Sequence, residues 1–107
     1  MDKKEIISEL RRIKPQVQHV YGVTQILKKT GVYKEDYEKY MSSDSSINID
    51  EELARLDGAD YDLACAILTA LMREGYFCGE NWFQRRVKNG LFDKAIGRVI
   101  SLLEESL

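Results

Sequence analysis

The sequence predicts an all-α protein, a compact single domain of five to six helices around a buried central helix at about 61–74. Every residue from Leu63 to Met72 except Thr69 is apolar, and a helix that is apolar on nearly all sides belongs inside a core. The chain has one proline, and no stretch alternates between apolar and polar residues as a half-buried strand does. Its 107 residues suit one domain, which we assign to 1–107.

The first thirty residues carry helix start and stop signals in order. Asp2 and Glu5 have the spacing of a capping box, and apolar residues then recur at helical intervals, at Ile6, Leu10 and Ile13. Pro15 ends this first helix, because the residue before a proline avoids the helical conformation. The same proline can open a second helix over about 16–30, which Gly31 terminates.

Shorter elements are predicted for the middle of the chain. Helical spacing of three side chains predicts a short helix over 33–41, at Tyr37, Tyr40 and Met41. The polar patch 42–46 is predicted to be a mobile loop. Asn48, with Glu51 three residues later, has capping-box spacing again and opens a short helix that runs to Leu56.

The central helix has its own boundary signals. Asp60 is a favourable N-cap, and Gly75 can adopt the left-handed conformation that ends a helix. Two further helices are predicted after a connection that begins at Gly75, namely Glu80–Lys88 and Leu91–Glu105.

Charge is distributed unevenly along the chain. The net charge is −2, yet residues 31–62 carry three basic residues against ten acidic ones, a local net charge of −7. Such a segment repels nucleic acid or docks on a basic partner, and Glu35, Asp36 and Glu38 are our candidate contacts. The alternative interpretation is a solvated acidic face without a partner.

The helices predicted over about 16–30 and 33–41 also have the outline of a helix-turn-helix DNA reader. Leu27 counts against it, because the close crossing of the two helices favours a smaller residue. The would-be recognition helix offers three acidic residues against Lys34 and Lys39, and neutralising phosphates dominates DNA affinity. DNA binding is therefore the alternative function.

The segment 73–86 gathers aromatic residues, arginines and glycines. One interpretation is a protein interface, since these residue types are enriched in interface hot spots; its candidates are Tyr76, Trp82, Arg85 and Arg86. The other interpretation is structural: Arg73 pairs with a carboxylate, while three aromatic side chains fill the core, namely Phe77, Trp82 and Phe83.

Catalysis has little support in the sequence. His19 is the only histidine, Cys65 lies in the apolar helix, and Cys78 has no histidine nearby to act as a base. Glu74 and Glu80 could form a carboxylate pair, but their spacing does not require one. Without a zinc-binding pattern or a glycine-rich phosphate loop, we predict no metal, no cofactor and no enzymatic activity.

The C-terminal half resembles a family of small bacterial helical proteins that is defined only as a domain of unknown function. The resemblance spans about Ala59–Leu107 and rests on Ala59-Asp60, Leu68–Arg73, Phe77, Gly79 and Asn89-Gly90. The chain departs from the family where Glu74-Gly75-Tyr76 follows the arginine. The resemblance implies a small cytoplasmic domain and assigns no activity.

We therefore expect a non-enzymatic interaction or regulatory protein of bacterial, phage or mobile-element origin that binds a protein partner. An inhibitor of a nucleic-acid-binding host factor is one version, because an acidic helical surface can occupy a basic nucleic-acid channel. No apolar run approaches the ~20 residues needed to span a bilayer, and the N-terminus has no secretory segment. These features predict a cytoplasmic protein with free thiols and no membrane partner.

Overall fold

The computed structural model describes residues 1–13, 18–42 and 46–107. Within these ranges it contains no strand, and it confirms the predicted all-α fold. The α-helices are α1 (Lys3–Arg11), α2 (Val20–Thr30), α3 (Ile49–Leu53), α4 (Tyr61–Cys78), α5 (Glu80–Lys88) and α6 (Leu91–Glu105). Two 3₁₀ turns, Tyr37–Tyr40 and Leu56–Gly58, flank α3. No helix within the described ranges has the length and apolar character needed to cross a membrane.

Helix α4 forms the centre of the core, as the apolar run predicts. All its residues from Ala64 to Met72 are buried, and α2, α3, α5, α6 and the turn Tyr37–Tyr40 pack around it. Thr69, the polar residue of the run, donates a hydrogen bond to the Cys65 carbonyl (2.8 Å) and accepts one from the Lys34 amide (2.9 Å). Both functions of the buried hydroxyl are therefore satisfied, which removes the cost of placing it in the core.

Three predicted helix starts are confirmed by their capping hydrogen bonds. The Asp2 side chain accepts from the backbone N–H of Glu5 at 2.8 Å, and the Asp60 side chain accepts from that of Leu63 at 2.9 Å. The Asn48 side chain accepts from the N–H three residues later at 3.3 Å. Helices α5 and α6 have the predicted bounds, and Gly31 (φ +79°) ends α2.

The predicted end of the central helix at Gly75 is wrong, because α4 continues to Cys78 and Gly79 (φ +101°) ends it. Gly75 is buried where α2 and α5 approach α4 closely. A Cβ atom there would lie 3.0 Å from Val20 Cγ2 and 3.1 Å from Phe83 Cβ. This glycine therefore allows close helix packing rather than a turn.

The predicted helix over 33–41 is also wrong, since only the 3₁₀ turn Tyr37–Tyr40 forms there. The backbone N–H groups that would enter such a helix are used elsewhere. Those of Val32 and Tyr33 donate to the Leu27 carbonyl, and that of Lys34 donates to the Thr69 hydroxyl. Tertiary bonds to α2 and α4 thus replace a local helix.

Two other boundaries differ from the sequence predictions. Helix α2 begins at Val20 with His19 as its N-cap residue, so the predicted start near 16 is wrong, and Pro15 lies outside the described residues. Helix α3 ends at Leu53, and the separate turn Leu56–Gly58 follows it. Most of the predicted mobile loop, residues 43–45, also lies outside the described part of the chain.

Gly97 and Gly75 are packed differently, so the same substitution to alanine should change the free energy of unfolding differently at the two positions. Gly97 lies inside α6, and a Cβ atom there would meet nothing within 4 Å, so Gly97→Ala should raise the free energy of unfolding by about 0.5–1 kcal/mol. Gly75→Ala should show no such gain or should destabilise the protein, because its methyl group would crowd Val20 and Phe83. Urea unfolding of both variants measures the difference. Equal stabilisation by both substitutions would contradict the close-packing role of Gly75.

Candidate functional site

The junction of α4 and α5 carries three large aromatic side chains at the surface. Phe77 is 76% exposed, Tyr76 47% and Trp82 39%. The structural interpretation, in which Phe77, Trp82 and Phe83 all fill the core, is therefore correct only for Phe83. That ring is buried and packs edge-to-face on Phe92, with the ring centroids 5.3 Å apart.

Phe77 borders a hollow of about 260 Å³, which we call the α4 groove. Its floor follows about two turns of α4, through Ala70, Arg73, Glu74, Phe77 and Cys78. Its walls come from the turn Tyr37–Tyr40 and from the residues around the start of α3, through Tyr37, Ile47 and Ile49. The groove is therefore mainly apolar, with one cationic and one anionic side chain along it.

Arg73 is held against aromatic rings. Its guanidinium carbon lies 4.8 Å from the centroid of the Phe77 ring, within the range of a cation–π contact. Burial disfavours the charged guanidinium, but the nearby hydroxyls of Tyr33 and Tyr37 outweigh this effect and raise the pKa of Arg73. The expectation that Arg73 pairs with a carboxylate is wrong, because Arg73 forms no ion pair within the described ranges.

Arg86, a predicted partner contact, is instead a buried ion-pair centre with 7% of its surface exposed. Its Nε and Nη2 atoms each donate to the Glu74 carboxylate at 2.8 Å, and its Nη1 donates to Asp50 Oδ1 at 2.5 Å. The bonds to Glu74 outweigh burial and, with those to Asp50, raise the pKa of Arg86. This cluster joins α3, α4 and α5, so Arg86 is unavailable to a partner.

A second hollow, of about 290 Å³, borders this ion-pair cluster. It is lined by Trp82, Arg85 and Asn89 together with Asp50 and Arg86. The guanidinium carbon of Arg85 lies 5.5 Å from the Trp82 ring centroid. Trp82 and Arg85 therefore present an exposed cation–π pair beside a pocket.

Glu80 connects α5 to the start of α2 and does not pair with Glu74. Its Oε1 accepts from the Val20 N–H at 3.0 Å, which caps α2, and its Oε2 accepts from the Gln84 amide at 2.9 Å. The Nδ1 atom of His19 lies 3.6 Å from Glu80 Oε1, on a side chain that is 78% exposed. These contacts give Glu80 a structural role that the sequence alone did not indicate.

The two cysteines lie in contrasting environments. Burial raises the pKa of Cys65 to about 11, so its thiol stays protonated at neutral pH. Cys78 is exposed and borders the α4 groove. Within the described ranges, no group of three or more His, Cys, Asp or Glu side chains is arranged to hold a metal ion.

The predicted acidic contacts Glu35, Asp36 and Glu38 are all exposed. Asp36 Oδ2 lies 3.6 Å from Lys39 Nζ, whereas Glu35 and Glu38 form no ion pair within the described part of the chain. Glu38 belongs to the 3₁₀ turn that supplies Tyr37 to the groove wall. Glu38 is therefore next in sequence to a residue that lines the α4 groove.

A buried carboxylate, which the sequence did not indicate, fastens the chain after the turn Tyr37–Tyr40 to α3. Glu52 is 1% exposed and accepts hydrogen bonds from the backbone and hydroxyl of Ser42 and from Arg55 Nη1, the last at 2.6 Å. Arg55 also donates to the Tyr40 carbonyl at 2.9 Å. Burial alone would raise the pKa of Glu52, but these hydrogen bonds and the charge of Arg55 lower it overall.

Comparison with family models, curated proteins and solved structures finds no match to this chain. The resemblance over about Ala59–Leu107 therefore stays a prediction.

Removing Arg86 should expose the cost of an unpaired buried carboxylate. Arg86→Met should lower the free energy of unfolding by about 3–5 kcal/mol, because the Glu74 side chain is only 13% exposed and would lose its partner. Adding Glu74→Gln to this variant should restore part of the loss. The exposed Arg85→Met is the control and should change stability by less than about 0.5 kcal/mol. Additive effects of the Arg86 and Glu74 substitutions in urea unfolding would contradict their coupling.

The lowered pKa of Glu52 predicts acid sensitivity with a definite sign. Because the pKa of Glu52 is lower in the folded protein than its ordinary value of 4.5, the charged carboxylate stabilises the fold above pH 4.5, and this stabilisation is lost as the pH falls through the lower folded-state pKa. Glu52→Gln should therefore destabilise the protein at pH ~7 by about 1–3 kcal/mol and should flatten the loss of stability toward pH ~3. Urea unfolding as a function of pH measures both effects, with exposed Glu51→Gln as the control. If the two variants have the same pH profile, Glu52 is not the responsible group.

Proposed function

We propose that this protein is a non-enzymatic interaction protein that binds a protein partner at the α4–α5 junction, with the α4 groove as the main contact. The exposure of Phe77 carries the proposal. A ring that is 76% exposed lies beside an apolar groove, on a helix whose preceding turns are buried. Exposed apolar surface next to a groove is typical of interaction sites.

The shape of the groove supports a side chain of a partner as its occupant. Its volume of about 260 Å³ is below the range of roughly 300–1,000 Å³ that is usual for small-molecule pockets. A hollow of this size suits one or two anchoring side chains, which is how protein interfaces concentrate binding energy. Arg73, held against the Phe77 ring, adds a polar contact in the groove, and Arg85, held against the Trp82 ring, adds one at the second hollow.

A more specific form of the proposal is that the partner is a nucleic-acid-binding host factor, which the protein inhibits. The exposed acidic residues Glu35, Asp36 and Glu38 support this form, because they could occupy a surface that otherwise binds phosphates. The alternative of a helix-turn-helix DNA reader is weakened, since residues 33–41 lack an α-helix to enter the major groove.

The test is a pull-down from bacterial lysate with three tagged proteins: wild type, Phe77→Ser and Tyr21→Ser. Tyr21 is a matched control, since it is 62% exposed and lies on α2. Each sample is run with and without nuclease, and both protein and nucleic acid are measured. We expect to capture a partner protein whose binding persists after nuclease treatment. This partner should bind the wild type and Tyr21→Ser equally well, and its affinity for Phe77→Ser should be about thirtyfold lower.

Each outcome has a defined meaning. A captured protein that binds Phe77→Ser as well as the wild type would contradict the assignment of the site. Recovery of DNA that nuclease removes would favour the DNA-binding alternative. Both variants should unfold within about 1 kcal/mol of the wild type, because the substituted rings are exposed, so a loss of binding would not reflect misfolding.

A further inference from the structure

We infer that the α4 groove takes a basic amphipathic segment of the partner, with apolar side chains in the groove and lysine or arginine side chains along its acidic walls. This inference rests on the proposed function and names the chemistry of the bound segment. It is carried by the combination of an apolar groove with unpaired carboxylates on or next to the elements that form its walls.

The apolar part of the segment is indicated by the groove itself. Ile47, Ile49 and Ala70 line it, and the exposed Phe77 ring extends it toward solvent. Covering these surfaces with a polar peptide would leave its polar groups without partners, which is unfavourable. Apolar side chains on one face of a peptide avoid this cost.

The basic part of the segment is indicated by the charges on the two walls. Asp36 is paired with Lys39, Asp50 with Arg86, and Glu52 with Arg55. Within the described ranges, three exposed carboxylates on or beside these elements form no ion pair: Glu38 in the turn Tyr37–Tyr40, Glu35 two residues before that turn, and Glu51 in α3. Lys34, the other cation of the segment, is engaged by Asp62 at 3.0 Å.

The charges along the groove floor do not reverse this balance. Glu74 shares the single positive charge of Arg86 with Asp50, so these three side chains together keep one net negative charge. Arg73 keeps its positive charge, but its guanidinium lies over Phe77 and near two tyrosine hydroxyls. The elements beside the groove therefore carry three carboxylates without an ion pair, against one cation in the groove that is already held, and charge complementarity favours a basic occupant.

The probes are two labelled synthetic peptides with leucines at helical spacing, one with lysine and one with glutamate at all other positions. Fluorescence anisotropy at about 50 mM and about 300 mM salt measures their affinities for the full chain. We expect the lysine peptide to bind at least tenfold more tightly than the glutamate peptide at low salt, and this preference to shrink at high salt.

Substitutions separate the contribution of charge to peptide affinity from the contribution of the apolar groove. The triple variant Glu35→Gln, Glu38→Gln, Glu51→Gln should lose about tenfold in affinity for the lysine peptide. A control that removes three exposed carboxylates elsewhere, Asp57→Asn, Asp93→Asn, Glu105→Gln, should lose less than about twofold. Phe77→Ser should weaken binding of the lysine peptide at both salt concentrations.

The outcomes distinguish this inference from the proposed function. Equal affinity for both peptides, or binding of neither, would overturn the basic-segment inference. If the pull-down still captured a Phe77-dependent protein, the proposed interaction site would stand. Binding of the lysine peptide that is unaffected by Phe77→Ser would place the peptide elsewhere and overturn the groove assignment.

Discussion

The burial of α4 is the constraint on which the rest of the structure depends. A helix that is apolar on every side from Ala64 to Met72 can be stable in water only if other elements cover all of its faces. Helices α2, α3, α5 and α6 and the turn Tyr37–Tyr40 do so. Short elements such as α3 would have little stability alone, and their packing on α4 maintains them.

Polar groups at the edge of this core determine how the short elements are placed. The Thr69 hydroxyl accepts the amide of Lys34, Glu52 binds Ser42, and Arg86 joins α3 to α4 and α5. Each group is buried and satisfied, so each specifies one arrangement of a segment that has weak helical propensity. The walls of the α4 groove consist of these segments. The shape of the groove therefore depends on hydrogen bonds as much as on apolar packing.

Local sequence patterns were sufficient to predict most of the helices but not the residues of the candidate site. The caps at Asp2, Asn48 and Asp60 need only the residues three positions later, so the sequence predicts them. The errors at Gly75 and over 33–41 have a different origin, since the decisive contacts come from Val20, Phe83 and Thr69, which are distant in sequence. Among the candidate contacts, the acidic residues and Trp82 are exposed as an interface requires, whereas Arg86 is buried by partners that its sequence neighbours do not reveal.

The exposure of Phe77 follows from the same close packing at Gly75 that lets α4 continue past its predicted end. Because α5 must return Phe83 to within contact of Gly75, the chain turns at Gly79, and the last turn of α4 projects beyond the core. This geometry accounts for an exposed position at 77 but not for a phenylalanine there, because a polar residue would fit equally well and be better solvated. The ring lies beside an apolar groove and under the guanidinium of Arg73, which is already held in place. A ring that is already in contact with a guanidinium would lose less conformational entropy on binding than a free one, and that is the physical reason for proposing the α4 groove as a partner site.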